Sequence, residues 1–307
     1  MLALFKPGID AHICTKLKIE WCVRVACIAS CVTLNIMKVV RFFCFSMLFV
    51  CASAWLGAAH ALDSRANVER AVALIGAEQY ALARSYLEPA LIDPRLSPGA
   101  RSRAYYLRGY SYLAQNMPVS ARKDYYRALE FNPNNAVVLV ELGILHSTGQ
   151  GTEKDEQLGL SLFEQAAALD YDRAHYHVGR AYLHGRGVTK NVEAARTSLA
   201  AAAKQEHVFA MMALAGSYRR VHVADPQPDL ALAWYRKAHA AGEAGALLSI
   251  GFMYGNGELG EPDAQAAAKY FHQALDEGLP LAAVHLAYAY LTGSGVEKDA
   301  AAALSLY

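Results

Sequence analysis

The chain has 307 residues, 54% of them apolar, with 29 basic against 28 acidic side chains. That is enough apolar material for a sizeable core, and so even a charge balance disfavours a strongly basic nucleic-acid binder. The balance is uneven: residues 1–61 hold all six cysteines and six basic against two acidic residues, which leaves 23 basic and 26 acidic, a formal net of −3, for residues 62–307.

Positions 37–61 read MKVVRFFCFSMLFVCASAWLGAAHA. Lys38 and Arg41 supply a short positive stretch, Phe42 to about Leu56 is uncharged and mostly apolar, and Ala59-His60-Ala61 has small residues where a signal peptidase reads. This is the pattern of a cleaved secretory signal. The apolar run of about 15 residues is short for a membrane span, which needs roughly 20, so an uncleaved anchor is the lesser alternative. Leu48-Phe49-Val50-Cys51 is a poor lipoprotein box, because Phe49 and Val50 are bulky where small residues are usual. Residues 1–36 precede the signal and are expected to be a mis-assigned extension, with translation starting at Met37. Cleavage after Ala61 leaves no cysteine, so an exported chain, free to use disulfides, has to hold itself together by packing alone.

Beyond the signal the pattern becomes helical. Ala83, Leu87 and Ala90 form a weak first unit, followed by a loop through Asp93-Pro94 and Ser97-Pro98; it is expected to cap the N-terminal end. A stronger 34-residue unit carries Tyr105, Gly109, Tyr112, Ala121, Tyr125, Ala128 and Pro133. From Val138 onward a 36-residue period takes over, with starts at Val138, Ala174, Ala210, Ala246 and Ala282. Four residues after each start stand Leu142, Val178, Leu214, Ile250 and Leu286. Five after stand Gly143, Gly179, Ala215, Gly251 and Ala287, and eight after stand His146, Tyr182, Tyr218, Tyr254 and Tyr290. These positions share one face of a helix A; the glycine or alanine is expected to admit a neighbouring backbone. Glycine pairs follow, Gly149 and Gly151, Gly185 and Gly187, Gly293 and Gly295, suited to the left-handed end of a helix. Asp155, Asn191, Asp263 and Asp299 are then placed to cap a helix B. That helix carries Phe163, Leu199, Tyr235, Phe271 or Tyr307 three residues before Ala166, Ala202, Ala238 or Ala274. One such pair cannot bury its apolar face; stacked pairs can.

These columns resemble the Sel-one-like repeat (SLR), a relative of the tetratricopeptide repeat. Ala174, Val178-Gly179, Tyr182, Gly185-Arg186-Gly187-Val188, Lys190-Asn191 and Ala202-Ala203 follow its pattern, as do Gly293-Ser294-Gly295-Val296 and Lys298-Asp299. The 34-residue unit resembles the standard tetratricopeptide repeat. The expected fold is therefore all-α: a right-handed alpha-solenoid of about seven stacked antiparallel helix pairs. Residues 62–137 are tetratricopeptide-like, and 138–307 hold five Sel-one-like repeats, the last incomplete. Two departures stand out. The third Sel-one-like repeat lacks its loop glycines and reads Arg219-Arg220-Val221-His222-Val223-Ala224-Asp225-Pro226, a loop expected to be deformed and a possible landmark. The chain also stops at Tyr307 inside the last helix B, which points to truncation, because terminal repeats normally need a polar cap.

A search for chemistry finds no Walker loop, no His-Glu-x-x-His, no Gly-x-Ser-x-Gly and no paired Cys-x-x-Cys. His175 and His177 are two apart on a helix, pointing in different directions, a poor metal pair. No metal, no cofactor and no catalytic residue is expected. Some secreted, cysteine-rich SLR proteins are linked with beta-lactam binding or hydrolysis, which implies an enzyme alternative; those proteins staple each helix pair with a disulfide, and residues 62–307 have no cysteine.

The resemblance implies that partners bind on the concave face, lined by helix A. The matching positions are Arg103, Tyr106, Tyr110, Val140, Ile144, Arg173, Tyr176, Arg180, Phe209, Met212, Arg219, Arg220, Leu248, Phe252, Val284 and Tyr288. The set is aromatic and apolar, with arginines and no acid. Arginine grips carboxylates in a fork, so the expected partner is another protein with an acidic or carboxylate-bearing segment, or an anionic glycan. The alternative is that Phe209, Met212 and Phe252 belong to the core. The function implied is a non-catalytic scaffold or adaptor of the periplasm or cell envelope, with exopolysaccharide export as one candidate pathway. An envelope regulator that sequesters a signalling protein is the alternative. No nucleic acid is expected, and no membrane except through an uncleaved signal.

Overall fold

A computed structural model describes residues 64–219 and 226–306 of the chain. The expected extension (1–36), the signal segment (37–61), Arg220 and Tyr307 lie outside these residues. Fourteen helices and no strand are found among the described residues. They are α1 (64–76), α2 (Tyr80–Ile92), α3 (Pro98–Ala114), α4 (Pro118–Phe131), α5 (Ala136–Thr148), α6 (Glu156–Ala167) and α7 (Asp172–His184). Then follow α8 (Val192–Lys204), α9 (Val208–Tyr218), α10 (Pro228–Ala240), α11 (Gly245–Gly255), α12 (Ala264–Asp276), α13 (Pro280–Thr292) and α14 (Ala300–Ser305). They stack as seven antiparallel pairs, odd-numbered helices being A and even-numbered B, in a right-handed α-solenoid.

The start column (Val138, Ala174, Ala210, Ala246, Ala282) and the Ala166, Ala202, Ala238 and Ala274 column are fully buried. So is the Leu142, Val178, Leu214, Ile250 and Leu286 column, where each side chain contributes about 1.5–3 kcal/mol by leaving water. The glycine column has a different cause from the one expected. A Cβ on Gly143 would lie 2.5 Å from the Phe163 ring, one on Gly179 2.6 Å from Leu199, one on Gly251 2.5 Å from Phe271 and one on Gly109 2.7 Å from Tyr125. The glycine chiefly admits the large side chain of its own helix B; helix-B carbonyls, such as that of Ala195 at 3.1 Å from a Cβ on Gly179, come second.

The loops repeat one construction. The first glycine of each pair ends helix A in the left-handed conformation, with φ 75° at Gly149, 71° at Gly185 and 75° at Gly293. The second packs on the preceding repeat: a Cβ on Gly187 would fall 2.3 Å from the Glu156 carbonyl oxygen, and one on Gly151 2.6 Å from the Pro118 backbone. The capping residues act as expected. Asp155 accepts the Leu158 N–H at 2.9 Å, Asn191 that of Ala194 at 3.0 Å and Asp263 that of Ala266 at 2.8 Å. The N–H of each cap position donates back to the aromatic column of helix A: Asp155 to His146, Asn191 to Tyr182, Asp263 to Tyr254 and Asp299 to Tyr290. The glycine-poor third loop keeps this closure, Gln227 N–H to Tyr218 carbonyl at 2.8 Å, although residues 220–225 are outside the described part.

At the N-terminal unit Ala83, Leu87 and Ala90 are buried as expected. Asp93 does more than open a turn: it accepts the Ser64 hydroxyl at 2.7 Å and the Arg95 backbone N–H at 3.0 Å. The Arg95 N–H, with the Ser64 hydroxyl, holds the Asp93 carboxyl down at about 2. No helix among the described residues is long and apolar enough to cross a membrane.

Candidate partner-binding groove

Each helix A packs between its own helix B and the helix B before it, and consecutive helices A also touch, α5 with α7 and α7 with α9. The expected groove positions among the described residues lie on helices A, except Arg219, which follows the end of α9. Two neighbouring helices concentrate the chemistry. On α7, Arg173, Tyr176 and Arg180 share one face at helical spacing. The Tyr176 ring stacks on His207 with centroids 4.8 Å apart, and His207 meets Phe209 edge-on at 6.2 Å. Phe209 itself is 61% exposed. His207 has a local reason to stand there: its Nδ1 accepts the Ala210 N–H at 3.1 Å and caps α9. Burial pushes the His207 imidazole down, which suits a ring nitrogen that must stay an acceptor. Beneath Tyr176, His177 lies flat on Phe163 at 4.6 Å. Burial, with Arg173 and Arg180 beside it, pushes His177 down to about 4.

The arginines are not equivalent. Arg173 donates to Glu141 at 3.1 Å. Arg103 pairs with Glu69 at 2.6 Å in an exposed bridge. Arg219 grips Glu258 with both arms of its guanidinium, Nε to Oε2 at 2.9 Å, and this pair is largely buried, at 17% and 4% side-chain exposure. The Glu258 hydrogen bonds hold Arg219 above its usual value. Arg180 alone among the four described groove arginines has no carboxylate partner. Its Nη1 donates to the Tyr176 hydroxyl at 3.3 Å, with the guanidinium 5.5 Å from that ring's centre.

The remaining positions are dispersed. Tyr106 stacks on Tyr125 at 6.0 Å and is half-buried, and burial pushes its hydroxyl up to about 12; Tyr110 beside it is exposed. Met212, Ile144 and Phe252 pack against core clusters, and Val140 and Leu248 are buried outright. Phe252 meets His285 at 4.7 Å and Phe271 at 5.3 Å. Val284 and Tyr288 stand exposed on α13. Of the His-x-His pair, His177 is committed to Phe163, while His175 Nε2 faces Asp170 at 3.2 Å. Among the described residues no three potential metal ligands come together.

The model of the Sel1 repeat matches residues 137–171, 172–207, 209–243, 244–279 and 280–307, more than half of the chain. The chain belongs to the Sel1 repeat family. A tetratricopeptide repeat matches residues 102–135 immediately before the Sel1 array. Among curated proteins none matches this sequence. Solved structures share the fold, among them the following two. A Sel1 repeat protein from Oxalobacter formigenes is 26% identical with a TM-score of 0.55, over 66% of this chain and 82% of its own. A protective antigen present in uropathogenic Escherichia coli strains, displaying an SLR fold, is 23% identical with a TM-score of 0.58, over 67% of this chain. The present chain spans 44% of that antigen's length.

Sequence reasoning placed Arg173, Tyr176, Arg180 and Phe209 in the expected groove and named His177 only as half of a poor metal pair, but missed His207 and the acids Glu69, Glu141 and Glu258. A signal for the acids was present. Glu69 and Arg103, Glu141 and Arg173, Arg219 and Glu258 are separated by 34, 32 and 39 residues, about one repeat each. Opposite charges one repeat apart meet between adjacent helix pairs, so the groove is less basic than its own positions suggest.

Proposed function

We propose that this protein is a non-catalytic scaffold of the periplasm or cell envelope that holds an extended segment of a partner protein against its helix-A surface. Sel1 and tetratricopeptide repeat proteins generally mediate protein–protein interaction, and stacked repeats create extended binding surfaces. The observation that carries the reading is the aromatic run Tyr176–His207–Phe209, ending in an exposed phenylalanine beside an arginine without a carboxylate partner. Aromatic residues and arginine dominate binding hot spots, and an exposed large aromatic next to polar groups is the kind of surface a partner covers. The envelope location rests on the secretory pattern at 37–61.

A photo-crosslinking amino acid placed at Phe209, and separately at Arg127 on the outer helix α4, tests this in the native host. The expected result is one partner crosslinked reproducibly from Phe209, absent from Arg127, and recovered with envelope fractions. Equal capture from both positions, or none from Phe209, removes the helix-A surface from consideration. Recovery of the protein with the cytosol, with residues 37–61 still present, removes the envelope.

A further inference from the structure

We propose that the Arg180 guanidinium, alone among the described groove arginines in having no carboxylate partner, grips one carboxylate of a partner segment while Tyr176, His207 and Phe209 receive an apolar or aromatic side chain two residues away. This rests on the helix-A surface being the binding surface, and it narrows the partner from an acidic stretch to an isolated acid paired with an apolar residue.

Among the described groove arginines the charges leave one without a carboxylate partner. Glu69, Glu141 and Glu258 already neutralise Arg103, Arg173 and Arg219. A partner with a run of acids would face those internal carboxylates as well as Arg180, and like charges at close range raise the cost of binding. A guanidinium has five N–H donors in a fork matched to a carboxylate. Among the described residues Arg180 makes one hydrogen bond, to the Tyr176 hydroxyl, and lies over that ring at 5.5 Å. Tyr176 is therefore the pivot: it orients the guanidinium on one side and stacks on His207 on the other. His207 is fixed by its own capping bond, so the shelf leading to Phe209 is built before a partner arrives. A preformed shelf lowers the ordering cost of association. An extended segment advances about 6.6 Å for every two residues and points those two side chains the same way. The Arg180 guanidinium lies 5.5 Å from the Tyr176 ring centre, a separation comparable to that step.

The test is an array of synthetic glycine–serine peptides of about ten residues, each carrying one pair of amino acids two positions apart in every combination. It is probed with labelled full-length chain, with Arg180→Gln and with Arg127→Gln, a charge-matched change on the outer face. The parent and Arg127→Gln chains are expected to bind pairs of Asp or Glu with Phe, Tyr, Trp or Leu about tenfold more strongly than the Asn or Gln counterparts, a charge-assisted hydrogen-bond effect. Arg180→Gln is expected to erase that preference, and far-ultraviolet circular dichroism checks that this chain stays folded. Binding without an acid, or a preference that survives Arg180→Gln, overturns the assignment and leaves the surface a binding surface. A preference for runs of acids over single ones also overturns it. No bound peptide with any of the chains overturns both this inference and the function it rests on.

Discussion

A partly buried imidazole that stays neutral ties the stability of the second Sel1 repeat to pH. The unfolded chain protonates His177 near pH 6.5, and the folded chain only near 4, because burial and the neighbouring Arg173, Arg180 and His207 oppose the charge. Its contribution is therefore complete above pH 6.5 and is lost as pH falls from 6.5 toward 4. The full loss is on the order of 3 kcal/mol at 1.36 kcal/mol per pH unit. His146 and His207 are shifted in the same direction, both first by burial. Urea unfolding at pH 7 and pH 5 should show the protein weaker at pH 5. In His177→Phe, which keeps a ring on Phe163 and removes the proton, that difference should shrink by about 2 kcal/mol. An unchanged difference would place the acid sensitivity elsewhere. The sequence showed His175 and His177 two apart, and helix geometry alone argued against a metal pair. Which of the two stacks on a neighbouring helix depended on Phe163, fourteen residues away.

At the scale of the helix pair, the two loop glycines have different tasks. Gly185 needs only its left-handed φ of 71°, since a Cβ there would find its nearest atom at 3.4 Å. Gly187 needs a φ of 69° and also has the Glu156 carbonyl 2.3 Å from where a Cβ would stand. Gly185→Ala should therefore cost about 1–2 kcal/mol, the left-handed penalty. Gly187→Ala should cost about 2–5 kcal/mol, because overpacking against the preceding repeat adds to the same penalty. Thermal unfolding of the two variants should rank them in that order, and equal losses would mean that the second glycine is also only a helix terminator. The helix ends, the caps and the buried columns were legible because they depend on residues within one repeat. The role of the second glycine was not, because it answers to the start of the helix B in the preceding repeat.

Across the whole array, repeats are joined by contacts one period long. The Arg219–Glu258 pair links the third Sel1 repeat to the loop of the fourth. Arg196 reaches forward from α8 to the Ser217 carbonyl at 2.7 Å while lying over the Tyr218 ring at 4.2 Å. Both meet at the third loop, so the missing glycines are accompanied by buried guanidinium contacts at its entrance. Glu258→Gln leaves the Arg219 charge largely buried without its counter-charge, which should cost about 3–5 kcal/mol. Replacing both, Arg219→Met with Glu258→Leu, should cost far less, since apolar substitution of a buried pair is often neutral. Amide hydrogen exchange should show the single change loosening α9 to α12 and sparing α3 to α6, because neighbouring repeats in a linear array are coupled only locally. Loosening spread evenly along the chain would contradict that nearest-neighbour picture.

The sequence by itself determined the all-helical class, the 34- and 36-residue periods, the helix ends, the caps and the buried alanine columns. Each of these follows from residues at fixed spacing on one helix or one loop, where 3.6 residues per turn and left-handed glycine geometry are sufficient. Tertiary structure decided which groove arginines keep an open guanidinium. Sequence reading placed Arg103, Arg173, Arg180, Arg219 and Arg220 on one surface as equals. Stacking brought Glu69, Glu141 and Glu258 from adjacent repeats to three of them and left Arg180 to Tyr176. The physical reason is that a side chain's charge environment comes from whatever the neighbouring repeat sets within a few ångströms of it, and that depends on how the pairs pack.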